Sequence, residues 1–190
     1  MTVDTRVIDC AKLRRVNTLC KLTAVFTVRL ADETDALEIS DIHVCSRTSA
    51  YRGHLPDRYL DGEMPAESAA FWPVRMAGLE AGDGVAFIAE HCGKPVGFIC
   101  IERPDAYDSI FVDNLHTLPD YKGHGVGGML LEVARGWALA RGARQMHLLV
   151  LAGNKPAIGF YESHGWSVSS SECITMGGVA MTALRFVLPL

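Results

Sequence analysis

Four glycines fall within the six residues Gly123-His124-Gly125-Val126-Gly127-Gly128, directly after Lys122 and before an apolar run. Absent side chains let backbone N–H groups at a helix N-terminus approach an anion, and the helix dipole favours negative charge there. The spacing therefore offers a phosphate cradle, and two patterns fit it. From Gly123 it reads G-x-G-x-x-G, the dinucleotide fingerprint, which needs an acidic ribose partner about 20 residues further on. After Glu132 the next acid is Glu162, so that partner is missing. From Lys122 it reads Lys122-x-x-Gly125-x-Gly127, and a second motif follows it: Asn154-Lys155-Pro156-Ala157-Ile158-Gly159-Phe160-Tyr161-Glu162-Ser163-His164-Gly165-Trp166.

Loop, strand-like run and Asn…Tyr…Gly segment, in that order, resemble the Q/R-x-x-G-x-G/A and N-x-x-A-x-x-F-Y-x-x-x-G-W/F motifs of the GNAT superfamily of acyl-CoA-dependent N-acetyltransferases. The likeness runs from about Phe26 to the C-terminus, with Lys122 where the family more often has Gln or Arg. It implies an α/β GNAT fold, a central mixed twisted sheet of about six or seven strands flanked by about four helices. It also implies acetyl-CoA as co-substrate and no metal. By the same resemblance the turn Lys122, Gly123, His124, Gly125, Val126, Gly127 and Gly128 holds the pyrophosphate, and the backbone of Leu115, His116 and Thr117 pairs with the pantetheine arm. An N–H on that strand would polarise the thioester carbonyl and stabilise the oxyanion. Asn154 is a pantetheine contact, a helix N-cap, or both. Tyr161 matches the tyrosine that returns a proton to the departing thiolate. The implied reaction is acetyl transfer to a primary amine by direct attack in a ternary complex. A CoA-sensing module without catalysis and a dinucleotide-binding oxidoreductase are the alternatives.

An amine with an ordinary pKa near 10 must lose a proton before it attacks. Asp113 is the leading candidate base, with His116 and Glu90 beside it on strand-like segments, and each reads equally well as a hydrogen-bonded structural residue. Relatives that acetylate ribosomal N-termini carry Glu five residues before the Asn, where this chain has Leu149. Residues 32–68 hold nine acids against three arginines, a local charge of −6. An acidic cleft wall would favour a cationic acceptor such as a polyamine, an aminosugar or a lysine side chain. The competing reading is a solvated acidic helix face.

These groups need a scaffold, and the apolar pattern supplies one. Val25, Phe26, Val28 and Leu30 suggest a first strand, and Asp32 to Ser49 a helix opened by acids. Tyr51 to Asp57 is a loop, Arg58 to Met64 a short turn, and Ala66 to Glu80 a helix with a bend at Trp72-Pro73. Val85 to Glu90 and Val96 to Ile101 form a hairpin around Cys92-Gly93-Lys94-Pro95. Ile110 to Leu118 is a strand ended by Pro119. Val126, Leu130, Val133 and Trp137 then mark a helix face, and Gly142 is its C′ residue. Arg144 to Leu151 reads as a buried strand and Ala157 to His164 as a short helix. Trp166 to Ser170 and Val179 to Val187 complete the sheet.

With 190 residues, 49% of them hydrophobic, one core suffices, and residues 25–190 are expected to form one domain after a poorly specified extension at 1–24. That extension lacks the apolar stretch of a secretory signal. A net charge of −4 gives no footprint for nucleic acid, and no apolar run approaches the ~20 residues of a membrane span. Six cysteines without a C-x-x-C read as thiols in a reducing compartment, not as a disulfide framework or metal site. The expected setting is cytoplasmic, the partner a small-molecule or peptide amine, and a homodimer is left open.

Overall fold

The computed structural model describes residues 26–190, so the expected extension at 1–24 lies outside the described residues. Seven strands, β1 (Phe26–Leu30), β2 (Gly84–His91), β3 (Lys94–Glu102), β4 (Ser109–Thr117), β5 (Gln145–Leu151), β6 (Ser167–Met176) and β7 (Val179–Pro189), form one sheet. Their order is β1-β2-β3-β4-β5-β7-β6. The helices are α1 (Ala36–Tyr51), α2 (Met64–Gly78), α3 (Val126–Leu139) and α4 (Lys155–Ser163). Neighbouring strands are antiparallel except β4 and β5. A doubly wound dinucleotide fold needs a mostly parallel sheet, so the oxidoreductase alternative fails on topology.

The local signals act as the physics requires. Asp32 accepts from the Thr34 N–H at 2.9 Å, and Asp35 accepts from the Asp32 N–H at 3.0 Å, closing a capping box ahead of α1. Gly142 takes φ +75, the left-handed turn that ends α3. The helix before it buries Val126, Leu130, Leu131, Ala134 and Ala138, while Val133 and Trp137 sit on the flank of that stripe. Arg141 covers the Trp137 ring at 3.7 Å, giving an off-core aromatic a cation partner. α2 runs through Pro73 without ending there. β6 continues to Met176, well past the expected Ser170, because its ladder with β7 holds a largely exposed and polar strand.

Alternation along β3 sorts the helices onto two faces. Phe98 packs edge-on against Trp72 of α2 at 5.0 Å, whereas a Cβ on neighbouring Gly97 would meet Val126 of α3 at 3.2 Å. Trp72, Phe98, Ile99 and Leu130 are fully buried, so truncating either of the two aromatics to alanine should cost about 3–5 kcal/mol. Among the described residues, no helix is long and apolar enough to cross a membrane. Cys100 and Cys173 are free, but Cys45 and Cys92 are disulfide-bonded, against the expectation of thiols throughout.

Candidate active site

The site begins where two strands separate. β4 and β5 pair only from Ser109 to Phe111 and from Gln145 to His147. Beyond that, β4 keeps its ladder with β3 to Thr117 and β5 keeps its ladder with β7 to Leu151. Each strand holds its antiparallel neighbour, so the two diverge and a cleft of about 1010 Å³ opens between them. The Leu118 N–H donates to the Val96 carbonyl at 2.8 Å, and the His116 carbonyl also faces β3. Backbone groups alternate along a strand, so those of Leu115 and Thr117 face the open edge. A ligand that hydrogen-bonds like a strand can fill that edge. The expectation for His116 is corrected here: its backbone is committed to β3, and its ring lines the cleft instead.

At one end of the cleft stands the glycine turn. Gly123 and Gly125 have φ +79 and +83, and a Cβ on either would meet nothing within 4 Å. These two glycines permit a left-handed backbone and leave open space above it. Gly127 and Gly128 serve differently. A Cβ there would come within 3.0 Å of the Phe160 ring and of His164 Nε2, so their bareness lets α4 pack on the first turn of α3. Lys122 lines the cleft, whereas the His124 ring folds back onto the Lys122 carbonyl at 3.1 Å and does not.

α4 brings the second motif to the same space. Asn154 caps the helix, accepting from the Ala157 N–H at 3.3 Å, and also lines the cleft. Tyr161 lines it too, wedged among Phe160, Trp166 and Phe186. Burial pushes its phenol pKa far above the ordinary value, with a further push from nearby Tyr51, so the hydroxyl stays protonated.

The three candidate bases separate clearly. Glu90 accepts from Arg29 Nε at 2.7 Å across β1 and β2 and does not line the cleft, so it leaves the list. The His116 ring is 3.2 Å from Ser46 Oγ, and burial, reinforced by His43, Arg47 and Lys122, drives its pKa well below 6.5. That makes it a weak base. Asp113 is the extra residue of a β-bulge, skipped between the pairs Cys100↔Asn114 and Ile101↔Val112. Its carboxylate meets Arg75 Nε at 3.5 Å, yet burial outweighs that partner and raises its pKa above 3.8.

The acidic segment does not form the cleft wall. Of its nine acids only Glu67 lines the cleft, and it accepts from the Tyr59 hydroxyl at 3.0 Å. Asp35 is paired with Arg29, and Asp57 and Asp61 with Arg52. The solvated-face reading is the one the geometry favours. What lines this side instead is a stripe of α1 at helical spacing, His43, Ser46, Arg47, Ala50 and Tyr51. That i, i+3, i+4, i+7, i+8 stripe mixes polar, charged and aromatic residues, so no apolar periodicity marked it in the sequence.

The fold and this cleft define a class, and comparison with known proteins names it. The chain belongs to the acetyltransferase (GNAT) family, whose family model matches residues 39–166. An uncharacterised N-acetyltransferase of Methanocaldococcus jannaschii is 31% identical over 155 residues, which is 76% of this chain and 62% of that protein. A thialysine N-epsilon-acetyltransferase of Bos taurus is 29% identical over 85 residues, 40% of this chain and 47% of that one. The chain thus spans less than two thirds of either relative. Among solved structures, the PaiA N-acetyltransferase of Thermoplasma acidophilum in complex with coenzyme A superposes with a TM-score of 0.74 at 17% identity, covering 87% of this chain and 99% of that one. The ribosomal-protein-S18-alanine N-acetyltransferase of Escherichia coli gives 0.63 at 22%, covering 87% and 94%. At such identities the likeness is one of fold.

Proposed function

We propose that this chain transfers an acetyl group from acetyl-CoA to a primary amine, on a small molecule or a peptide, by direct attack in a ternary complex. One observation carries the reading: the open edge of β4, the left-handed glycine turn and the Tyr161 phenol all face one cleft. An acyl-CoA molecule needs those three things in that arrangement, namely amides for its pyrophosphate, a strand edge for its amide-rich arm and an acid at its sulfur. When bound, it supplies an activated thioester.

The chain's own groups do the rest. The Gly123 and Gly125 turn presents amides at the N-terminus of α3, and Lys122 adds positive charge beside them. Leu115 and Thr117 offer strand donors and acceptors that fix the arm in register. Asp113 takes the proton from the attacking amine, because burial holds its carboxyl above the ordinary range and Arg75 keeps it in place. Tyr161 holds a proton at Oη for the leaving sulfur. Desolvation raises a thiol's affinity for protons as it raises a phenol's, so a thiolate formed in this cleft draws that proton more strongly than one in water.

The test is to supply acetyl-CoA with pools of primary amines and follow both free thiol and acetylated product by mass. Equal amounts of the two, appearing only with amine present, support transfer. Tight CoA binding without any product would support the CoA-sensing reading.

A further inference from the structure

The α1 side of the cleft holds two hydrogen-bond donors that oppose each other. The Trp72 indole N–H donates to His43 Nδ1 at 3.1 Å. An indole is only a donor, so Nδ1 carries the lone pair and the neutral ring keeps its proton on Nε2. The ring is neutral because it is 7% exposed, and burial, with Arg47 beside it, pushes its pKa to about 3. Nε2 lies 3.4 Å from Arg47 Nη1, another donor, so neither satisfies the other. Arg47 Nη2 rests 2.7 Å from the Met176 sulfur, a weak acceptor, and the guanidinium covers the Tyr51 ring at 5.7 Å. Arg29, Arg52 and Arg75 each have carboxylate partners, but no carboxylate of the described residues pairs with Arg47.

A half-buried guanidinium and a buried imidazole N–H, both lining the cleft and both lacking a strong acceptor, lack an anionic oxygen. We infer that His43 and Arg47 form an anion subsite on the α1 side of the cleft, and that the acceptor is an amine bearing a carboxylate, such as an amino acid. This rests on the acetyl-transfer reading above, and it replaces the expectation of a purely cationic acceptor. An oxygen seated between Nε2 and Nη1 accepts from both, and the second carboxylate oxygen meets the planar guanidinium fork. The phosphates of the co-substrate are held elsewhere, at the α3 turn.

Calorimetry with N-acetyl-L-alanine and N-acetyl-L-alaninamide reads this subsite without turnover. The wild type should bind the acid about 10- to 100-fold more tightly than the amide, the ratio that a charge-assisted pair supplies. Arg47→Met should bring the ratio to about one while CoA affinity stays at the wild-type value, which shows that the cleft is intact. Arg47→Lys, with charge but no fork, should keep part of the ratio. Equal affinity for acid and amide, binding of neither, or an Arg47→Met variant with the full ratio would overturn the inference. A ratio that persists in a protein transferring no acetyl group upholds the subsite and removes the functional reading, so the two failures are separable.

Discussion

Two glycines at opposite ends of α3 allow the proposed anion-binding role of the loop to be separated from its backbone strain. Gly125 opens the helix at φ +83 and Gly142 follows its end at φ +75, and a Cβ on either meets nothing within 4 Å. Alanine at each therefore bears a similar left-handed cost, about 1–2 kcal/mol, or roughly 2–8 °C in Tm for a chain of this size. Their effects on ligand should differ. At Gly125 the methyl group would occupy the space through which phosphate oxygens would reach the amides in the proposed complex, and losing one charge-assisted N–H contact costs about 1.5–3 kcal/mol, roughly 10- to 100-fold in Kd. At Gly142 no ligand approaches, so CoA affinity should stay within about twofold. Paired calorimetric and thermal melts on Gly125→Ala and Gly142→Ala would test this. Wild-type CoA affinity in Gly125→Ala, or an equal loss in Gly142→Ala, would show that the turn is structural and the pyrophosphate lies elsewhere.

Tyr161→Phe should lower kcat by about 10²-fold and leave the acetyl-CoA KM nearly unchanged, since the proton matters only as the sulfur departs. Normal turnover would make Tyr161 a packing residue. If Asp113 is the base, kcat/KM rises with pH through its elevated pKa, and Asp113→Asn removes that acid limb. Arg75 opposes the elevation, so Arg75→Met should move the limb to higher pH, and no movement would place the base elsewhere. His43, held neutral in the folded state with a pKa near 3, makes the unfolded chain the better proton acceptor below about pH 6.5. Stability should therefore fall by about 1.4 kcal/mol per pH unit from this group as pH drops from 6.5 towards 3. Urea titrations at pH 7 and pH 5 should show a smaller difference for His43→Gln than for wild type.

Local chemistry made most elements visible from the sequence, and long-range pairing hid the parts that make the site. Pro119, Gly142 and the acids before α1 act within a few residues of themselves, so their roles could be read directly. The parting of β4 from β5 could not, because it arises from which neighbour each strand keeps. The bulge that carries Asp113 is likewise a property of the β3 ladder, one residue of mismatch that no local pattern shows. Charge counting misled at residues 32–68 because the sum ignores direction: Asp35, Asp57 and Asp61 turn to arginines outside the cleft. Gly127 and Gly128 fitted a phosphate pattern, yet much of their purpose is to admit Phe160 and His164, residues more than thirty positions away.

In the proposed complex one cleft takes acetyl-CoA along the open edge of β4, with its phosphates on the α3 turn and its sulfur at Tyr161. Amide chemical-shift mapping of the 15N-labelled protein on adding CoA addresses it most directly. The largest shifts should fall on Gly123, Gly125, Leu115 and Thr117, with the tyrosine-bearing helix responding and NAD producing no such pattern. Shifts concentrated away from the β4 edge and the α3 turn, or the same shifts with NAD, would contradict it.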